Sequence, residues 1–256
     1  MIIKEDYEED KERILNEADE AGLSDYEKAM ALASYEHFDA DIDEVLEGIE
    51  NGEIQQSSWD SHYIEFNSLE AWVFDDYEDA ESAAKEDVIN TLDDIGYAGL
   101  NVDLSQFADE DWFRDALVES FEYYCRDIAL EDDDTYGDRL VQECYDEGLI
   151  DDSDFEQDED GEPDYTQCLV DTDELVERYV DWYTDNNYDW IQLYIDDFGQ
   201  SSFDEVCRNN SSIIDQDALA EYIVEIDGVT NSLARYDGNE CEVEIGDVTY
   251  YVYRAN

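Results

Sequence analysis

Carboxylates are the residues of this chain most able to do chemistry, and two runs of them recur at helical spacing. Asp111, Asp115, Glu119 and Glu122 follow one another at four, four and three residues. Glu174, Glu177, Asp181, Asp185 and Asp189 do so at three, four, four and four. On a helix such neighbours stand about 5–6 Å apart at Cβ, and like charges there destabilise it by about 0.2–0.5 kcal/mol per pair. Few Lys or Arg residues are interleaved to offset this. A third group, Glu131, Asp132, Asp133 and Asp134, is contiguous and reads as an exposed helix-to-helix connection that attracts cations loosely. Rigid rows of carboxylates can present to a basic groove what a line of phosphates would present.

Other chemistry finds little support. Aligning Gly161 on the invariant glycine of a calcium loop puts Glu156, Asp158 and Asp160 at ligand positions, but the twelfth position is Gln167 and Pro163 intrudes. Two histidines, His37 and His62, leave little for a His-based site. Carboxylate pairs are too abundant for one to be singled out as a glycosidase dyad. There is no phosphate-cradling glycine loop, GxSxG elbow or kinase signature. The expectation is a protein that is not an enzyme and uses no metal or cofactor. Cys125, Cys144, Cys168, Cys207 and Cys241 are odd in number and lack CxxC spacing, so they read as reduced small hydrophobes. Trp72, Tyr123, Tyr124 and Trp182 fit core positions first and interface anchors second.

The charge is far beyond what solubility needs. With 77 acidic and 12 basic side chains, the net charge is -65 over 256 residues, against about 2–8 for a soluble small domain. Disorder is the usual fate of such a chain, yet 43% hydrophobic and 13% aromatic residues supply a sizeable core. Nucleic acids and membrane surfaces are anionic, so the expected partner is a basic protein, with no direct nucleic-acid or membrane contact. Half of the net charge on one face would match about 16 bp of duplex at one charge per ~1.7 Å. Adaptation to high salt would also give an acidic, lysine-poor surface, although the many large aromatics are foreign to it. No apolar run is long enough to span a bilayer. Met1-Ile2-Ile3-Lys4-Glu5 does not read as a signal peptide, and the expected location is the cytoplasm.

The elements that must position the acids are mostly helices. Apolar periodicity predicts helices from Glu5 to Ala21, from Ser24 (with a Ser24/Glu27 capping box), over Asp41 to Ile49 and over Tyr77 to Ile95. Asp111 to Leu130 is the best patterned, with Trp112, Ala116, Leu117, Phe121, Tyr124 and Ile128 on one face. Further helices are expected at Tyr136 to Asp146, in a long segment after Asp171 interrupted near Asn186-Asn187, and from Asp215 to Ile226. His62 to Phe66 and Glu70 to Phe74 read as paired short strands, and Cys241 to Tyr253 as a hairpin with Gly246 where a type II′ turn requires it. The class is α+β, mainly helical, with a short strand pair in the N-terminal half and a C-terminal hairpin. An acidic loop at 151–166, holding Gly161 and Pro163, is the expected boundary between a 1–150 region and a 167–256 region.

Asp227-Gly228, Leu233, Tyr236-Asp237-Gly238, Glu240 and the closing Tyr251-Val252-Tyr253-Arg254-Ala255-Asn256 carry a more particular pattern. It resembles the C-terminal part of a family of uncharacterised phage and plasmid accessory proteins, and Ala71 to Leu92 is similar to their central part. The resemblance implies a phage-like origin rather than a chemistry. In physical character the chain is similar to DNA mimics such as antirestriction proteins and the phage uracil-DNA-glycosylase inhibitor. The expectation is therefore an inhibitor that fills the DNA groove of a host restriction or other nuclease protein. A chaperone or scaffold for another basic partner, and a salt-adapted protein of unrelated activity, are the alternatives; a homodimer is left open.

Overall fold

The computed structural model describes residues 4–97, 100 and 102–256, apart from the side chains of residues 4–6 and 95. Residues 1–3, and with them most of the chain start read above, lie outside the described residues. In chain order the elements are α1 (Lys4–Ala21), α2 (Asp25–Glu36), α3 (Ile42–Asn51), β1 (Ile54–Gln56), β2 (Tyr63–Phe66), β3 (Leu69–Phe74) and α4 (Tyr77–Ile95). Then come α5 (Glu110–Ile128), β4 (Asp132–Asp133), β5 (Gly137–Asp138), α6 (Arg139–Asp146), β6 (Phe155–Gln157), β7 (Pro163–Cys168), α7 (Thr172–Asn186), α8 (Trp190–Phe198) and α9 (Gln200–Asn209). The chain closes with α10 (Gln216–Asp227), α11 (Val229–Leu233), β8 (Glu240–Ile245) and β9 (Val248–Arg254). The fold is α+β and mainly helical, as the periodicity indicates.

Two compact units emerge, one from residues 1–98 with 216–256 and one from 99–215. The acidic segment 151–166, read from the sequence as a boundary, lies inside the second unit. Phe155 is buried there, and Phe155–Gln157 pairs with Pro163–Cys168. The ends of the chain belong together because β3 pairs with β9, matching Val73 to Val252 and Phe74 to Tyr251.

In the first unit, the strand pair and the hairpin anticipated as separate elements join into one antiparallel sheet of order β1-β2-β3-β9-β8. Alternation does the sorting. Ile64, Phe66, Ala71, Val73, Val243 and Val252 bury one face against Ile14, Met30, Leu32, Val45 and Ile49 of α1–α3. Trp72, Phe74, Tyr251 and Tyr253 stand on the other. The Ser24/Glu27 capping box is formed: Ser24 N–H donates to Glu27 Oε2 at 2.8 Å, and Glu27 N–H to Ser24 Oγ at 3.3 Å. Gly246, at φ +63°, opens the tight turn between β8 and β9. Helix α4 packs on α10 and α11, with Ala80, Ala84, Val88 and Leu92 buried.

In the second unit α5 packs on α7 and α8, and α6 on α7. Cys125, Ile128, Leu140, Val141, Phe155, Leu175, Val176 and Tyr179 form one core cluster. Phe113 meets Phe203 and Tyr194 at ring-centroid distances of 5.2 and 5.0 Å. The long segment after Asp171 breaks at the expected Asn186-Asn187 into two helices, where both amides turn back to the carbonyls of Trp182 and Tyr183 (2.8 and 2.6 Å). Asp189 then starts α8.

Gly48 of α3 lies against the Phe66 ring, and a Cβ added there would stand 2.2 Å from Cε2. Gly48→Ala is expected to lower the urea-unfolding free energy by about 1–3 kcal/mol, the usual cost of overpacking a core. An unchanged midpoint would mean that α3 and β2 are not in this register.

Candidate acidic interaction surface

Asp109 and Asp171 start the two helices that carry the acidic rows. Asp109 Oδ1 accepts from the N–H groups of Asp111 and Trp112 (3.0 and 3.4 Å), and Asp171 Oδ1 from Glu174 N–H (3.0 Å). The helices run antiparallel. The Phe121 ring stacks on Tyr183 at 4.0 Å and meets Tyr179 at 5.1 Å, while Arg126, just over a turn further toward the C-terminus of α5, reaches Asp173 near the start of α7 at 3.1 Å. Burial of Phe113, Leu117, Cys125 and Ile128 on α5, and of Leu175, Val176 and Tyr179 on α7, turns the opposite faces outward. Asp111, Asp115 and Glu119 are exposed, and Glu122 is half-buried. Glu174, Glu177, Asp181 and Asp185 are exposed on α7.

The rows are not uniformly bare. Arg114 bridges Asp111 (2.6 Å) and Asp115 (2.9 Å). Arg126 pairs with Glu122 (2.9 Å), and Arg178 with Glu174 (2.6 Å). Glu119, Glu177, Asp181 and Asp185 make no ion pair among the described residues. Asp189 leaves the α7 row altogether: it is the N-cap of α8, and its Oδ1 accepts from Gln192 N–H at 3.1 Å. Row carboxylates spaced four residues apart recur about every 6 Å of helix axis. Two such rows side by side would reach about one charge per 3 Å, roughly half the density of duplex DNA, and Arg114, Arg126 and Arg178 bring the net density below that.

The Glu131 to Asp134 run connects α5 to α6 as a minimal hairpin, with Asp132 opposite Asp138 and Asp133 opposite Gly137. Glu131 pairs with Arg139 at 3.0 Å. Asp133 Oδ1 accepts from Thr135 and Tyr136 N–H, both at 2.8 Å, so this carboxylate is spent on the turn. Asp132 and Asp134 are exposed without an ion-pair partner among the described residues. The calcium-loop-like stretch forms the tip between β6 and β7, where Asp158 Oδ1 accepts from Asp160 and Glu162 N–H (2.9 and 3.0 Å). Among the described residues no group of three or more His, Cys, Asp or Glu side chains is placed to hold a metal ion.

Neutral donors hold many of the remaining acids, which spacing alone does not reveal. Tyr26 donates to Asp75 (2.9 Å), Tyr35 to Asp10 (2.8 Å), and Tyr145 and Tyr165 both to Asp152 (2.9 and 3.1 Å). Tyr7 donates to Glu36, Tyr63 to Glu70 and Tyr253 to Glu240. Burial, then the bonded carboxylate, pushes the Tyr26 hydroxyl up to about 12. Burial, then the same kind of bond, raises Tyr7, Tyr63 and Tyr253 further; for Tyr145 the bond to Asp152 is the leading cause. All five cysteines are free, and burial pushes Cys125 and Cys144 up to about 12. They are protonated thiols at neutral pH, which makes them poor nucleophiles.

Of the four aromatics weighed as anchors, Tyr123 is 68% exposed, and it follows Glu119 by one helical turn on α5. Tyr124 is less exposed, and Trp72 and Trp182 are half-buried. No described helix is long and apolar enough to cross a membrane. No family model matches the chain, and it matches neither a curated protein nor a solved structure.

The tyrosine bonds set an alkaline limit. A tyrosine whose folded pKa lies above its unfolded value of about 10 contributes stability that is complete below that pH and is lost as pH climbs through the folded value. The urea midpoint is therefore expected to hold from about pH 8 to 9 and fall steeply above about pH 10. Spectroscopic titration should show Tyr26 and its like ionising only as the fold opens. Ionisation of Tyr7, Tyr26, Tyr63 or Tyr253 themselves near pH 10 with the fold intact, read residue by residue, would contradict these bonds.

Proposed function

We propose that the protein is a polyanionic binding protein of the phage-type DNA-mimic kind, acting in the host cytoplasm. It occupies the basic DNA-binding groove of a host defence protein, a restriction or other nuclease system. The observation that carries this reading is the pair of antiparallel helices α5 and α7, both with exposed acids on them. Glu119, Glu177, Asp181 and Asp185 are free there of any ion pair among the described residues. A rigid surface of this kind costs no reorganisation when a basic groove closes on it, and its field steers the encounter. At less than half the duplex charge density once their arginines are counted, the two rows need further acids around them to compete fully. Asp127, Asp132 and Asp134 are exposed candidates in the same unit. Tyr123 supplies an aromatic contact beside the row.

The test is capture from a host lysate on the immobilised protein at moderate salt, followed by elution with duplex DNA. A DNA-binding or nuclease complex that duplex DNA displaces is the expected result. A basic partner that DNA does not displace would instead favour a chaperone or scaffold role. Replacing Glu119 and Glu177 by Gln, and Asp181 and Asp185 by Asn, should weaken capture by tenfold or more. Thermal stability should be unchanged or higher, since like charges are removed. Undiminished capture by this variant would exclude the α5/α7 face.

A further inference from the structure

Strand β8 ends the five-stranded sheet, and among the described residues it pairs with β9 alone. The register shows which of its backbone groups face outward. Ile245 and Val248 flank the two-residue turn and exchange both hydrogen bonds, and bonded and unbonded pairs alternate from there. Val243 with Tyr250 and Cys241 with Val252 are thus bonded pairs. Glu240, Glu242 and Glu244 turn their N–H and C=O groups away from β9. No other backbone group bonds to them among the described residues.

The same three residues carry carboxylates on one face of the strand. Glu242 and Glu244 are exposed, and Glu240 is half-buried against the Tyr253 hydroxyl. The opposite edge strand, β1, is only three residues long, whereas β8 has six. An exposed edge of that length is a template for another strand. A second copy of this chain is a poor occupant, because pairing β8 with β8 would bring two rows of glutamates together, and like charges facing across strands are destabilising.

We propose that β8 is a docking edge for an extended, basic segment of a partner protein. The segment adds as a sixth strand, with Lys or Arg at alternate positions beside Glu240, Glu242 and Glu244. Small apolar residues between them continue the face of Cys241, Val243 and Ile245. Main-chain bonds to the three outward residues supply affinity, and the charge alternation supplies register. This surface belongs to the first unit and does not depend on the acidic rows of α5 and α7.

The experiment uses the full chain and a capped nine-residue peptide of alternating Lys and Val. A peptide of the same composition with its lysines grouped at one end is the control for unspecific attraction. Calorimetry should show the alternating peptide binding about tenfold or more tightly than the control, and amide exchange should slow at Glu242 and Glu244. Glu242→Pro removes an outward N–H but no bond to β9, so it should keep the thermal midpoint and lose about tenfold in peptide affinity. Equal binding of both peptides, or unchanged exchange at Glu242 and Glu244 with peptide bound, would overturn the proposal. The exchange measurement on the unmodified chain decides even if the proline variant folds poorly.

Discussion

Carboxylates outnumber cations by 77 to 12, so this fold has to satisfy its acids chiefly with neutral donors. Backbone N–H groups do much of this. Asp41, Asp76, Asp109, Asp138, Asp171 and Asp189 cap α3 through α8 in turn. Each satisfies an N–H that the helix leaves unpaired and places its charge at the positive end of the helix dipole. Tyrosine hydroxyls add to this and can join elements far apart in sequence, as Tyr26 does with Asp75 and Tyr7 with Glu36. Arg114, Arg126 and Arg139 are each shared between two acids, and Arg126 ties Glu122 of α5 to Asp173 of α7. Among the described residues no buried side-chain polar atom lacks a partner.

That division separates charge the fold uses from charge it does not. Cap and tyrosine-bound acids stabilise the native state. Glu119, Glu177, Asp181 and Asp185 stabilise nothing visible, and repulsion along their helices costs energy. A surface kept at a cost in stability is where a partner is best sought. Distances and capping, rather than charge alone, thus narrow the thirteen acids that spacing and contiguity pick out. Asp133 and Asp189 serve the backbone, while Glu119, Glu177, Asp181 and Asp185 are exposed without an ion pair among the described residues.

Much of the architecture was legible because it is local. Apolar periodicity located α4, α5 and α10, and Gly246 marked the closing hairpin. The joining of β3 to β9 was not legible, since it pairs residues about 180 apart and neither strand states its neighbour. The interruption between α7 and α8 was visible at Asn186-Asn187, but the role of Asp189 was not, because one residue type serves both a row and a cap. Helix α9 is short, and its apolar stripe is only Phe203, Val206 and Cys207, too few to mark it in the sequence. The tyrosine–carboxylate bonds bring together residues with no fixed spacing, so only the folded chain reveals them.

The most direct test of a fold satisfied by neutral donors is its unfolding free energy as a function of salt, from about 0.05 M to 3 M sodium chloride. Screening shortens from about 10 Å at 0.1 M to about 3 Å at 1 M. The protein should be cooperatively folded at about 0.1 M and gain stability over the first few tenths molar, with little change beyond. A chain that unfolds below about 1 M salt would contradict this account, and would show that the acids are held by dissolved cations rather than by the N–H and tyrosine groups of the fold.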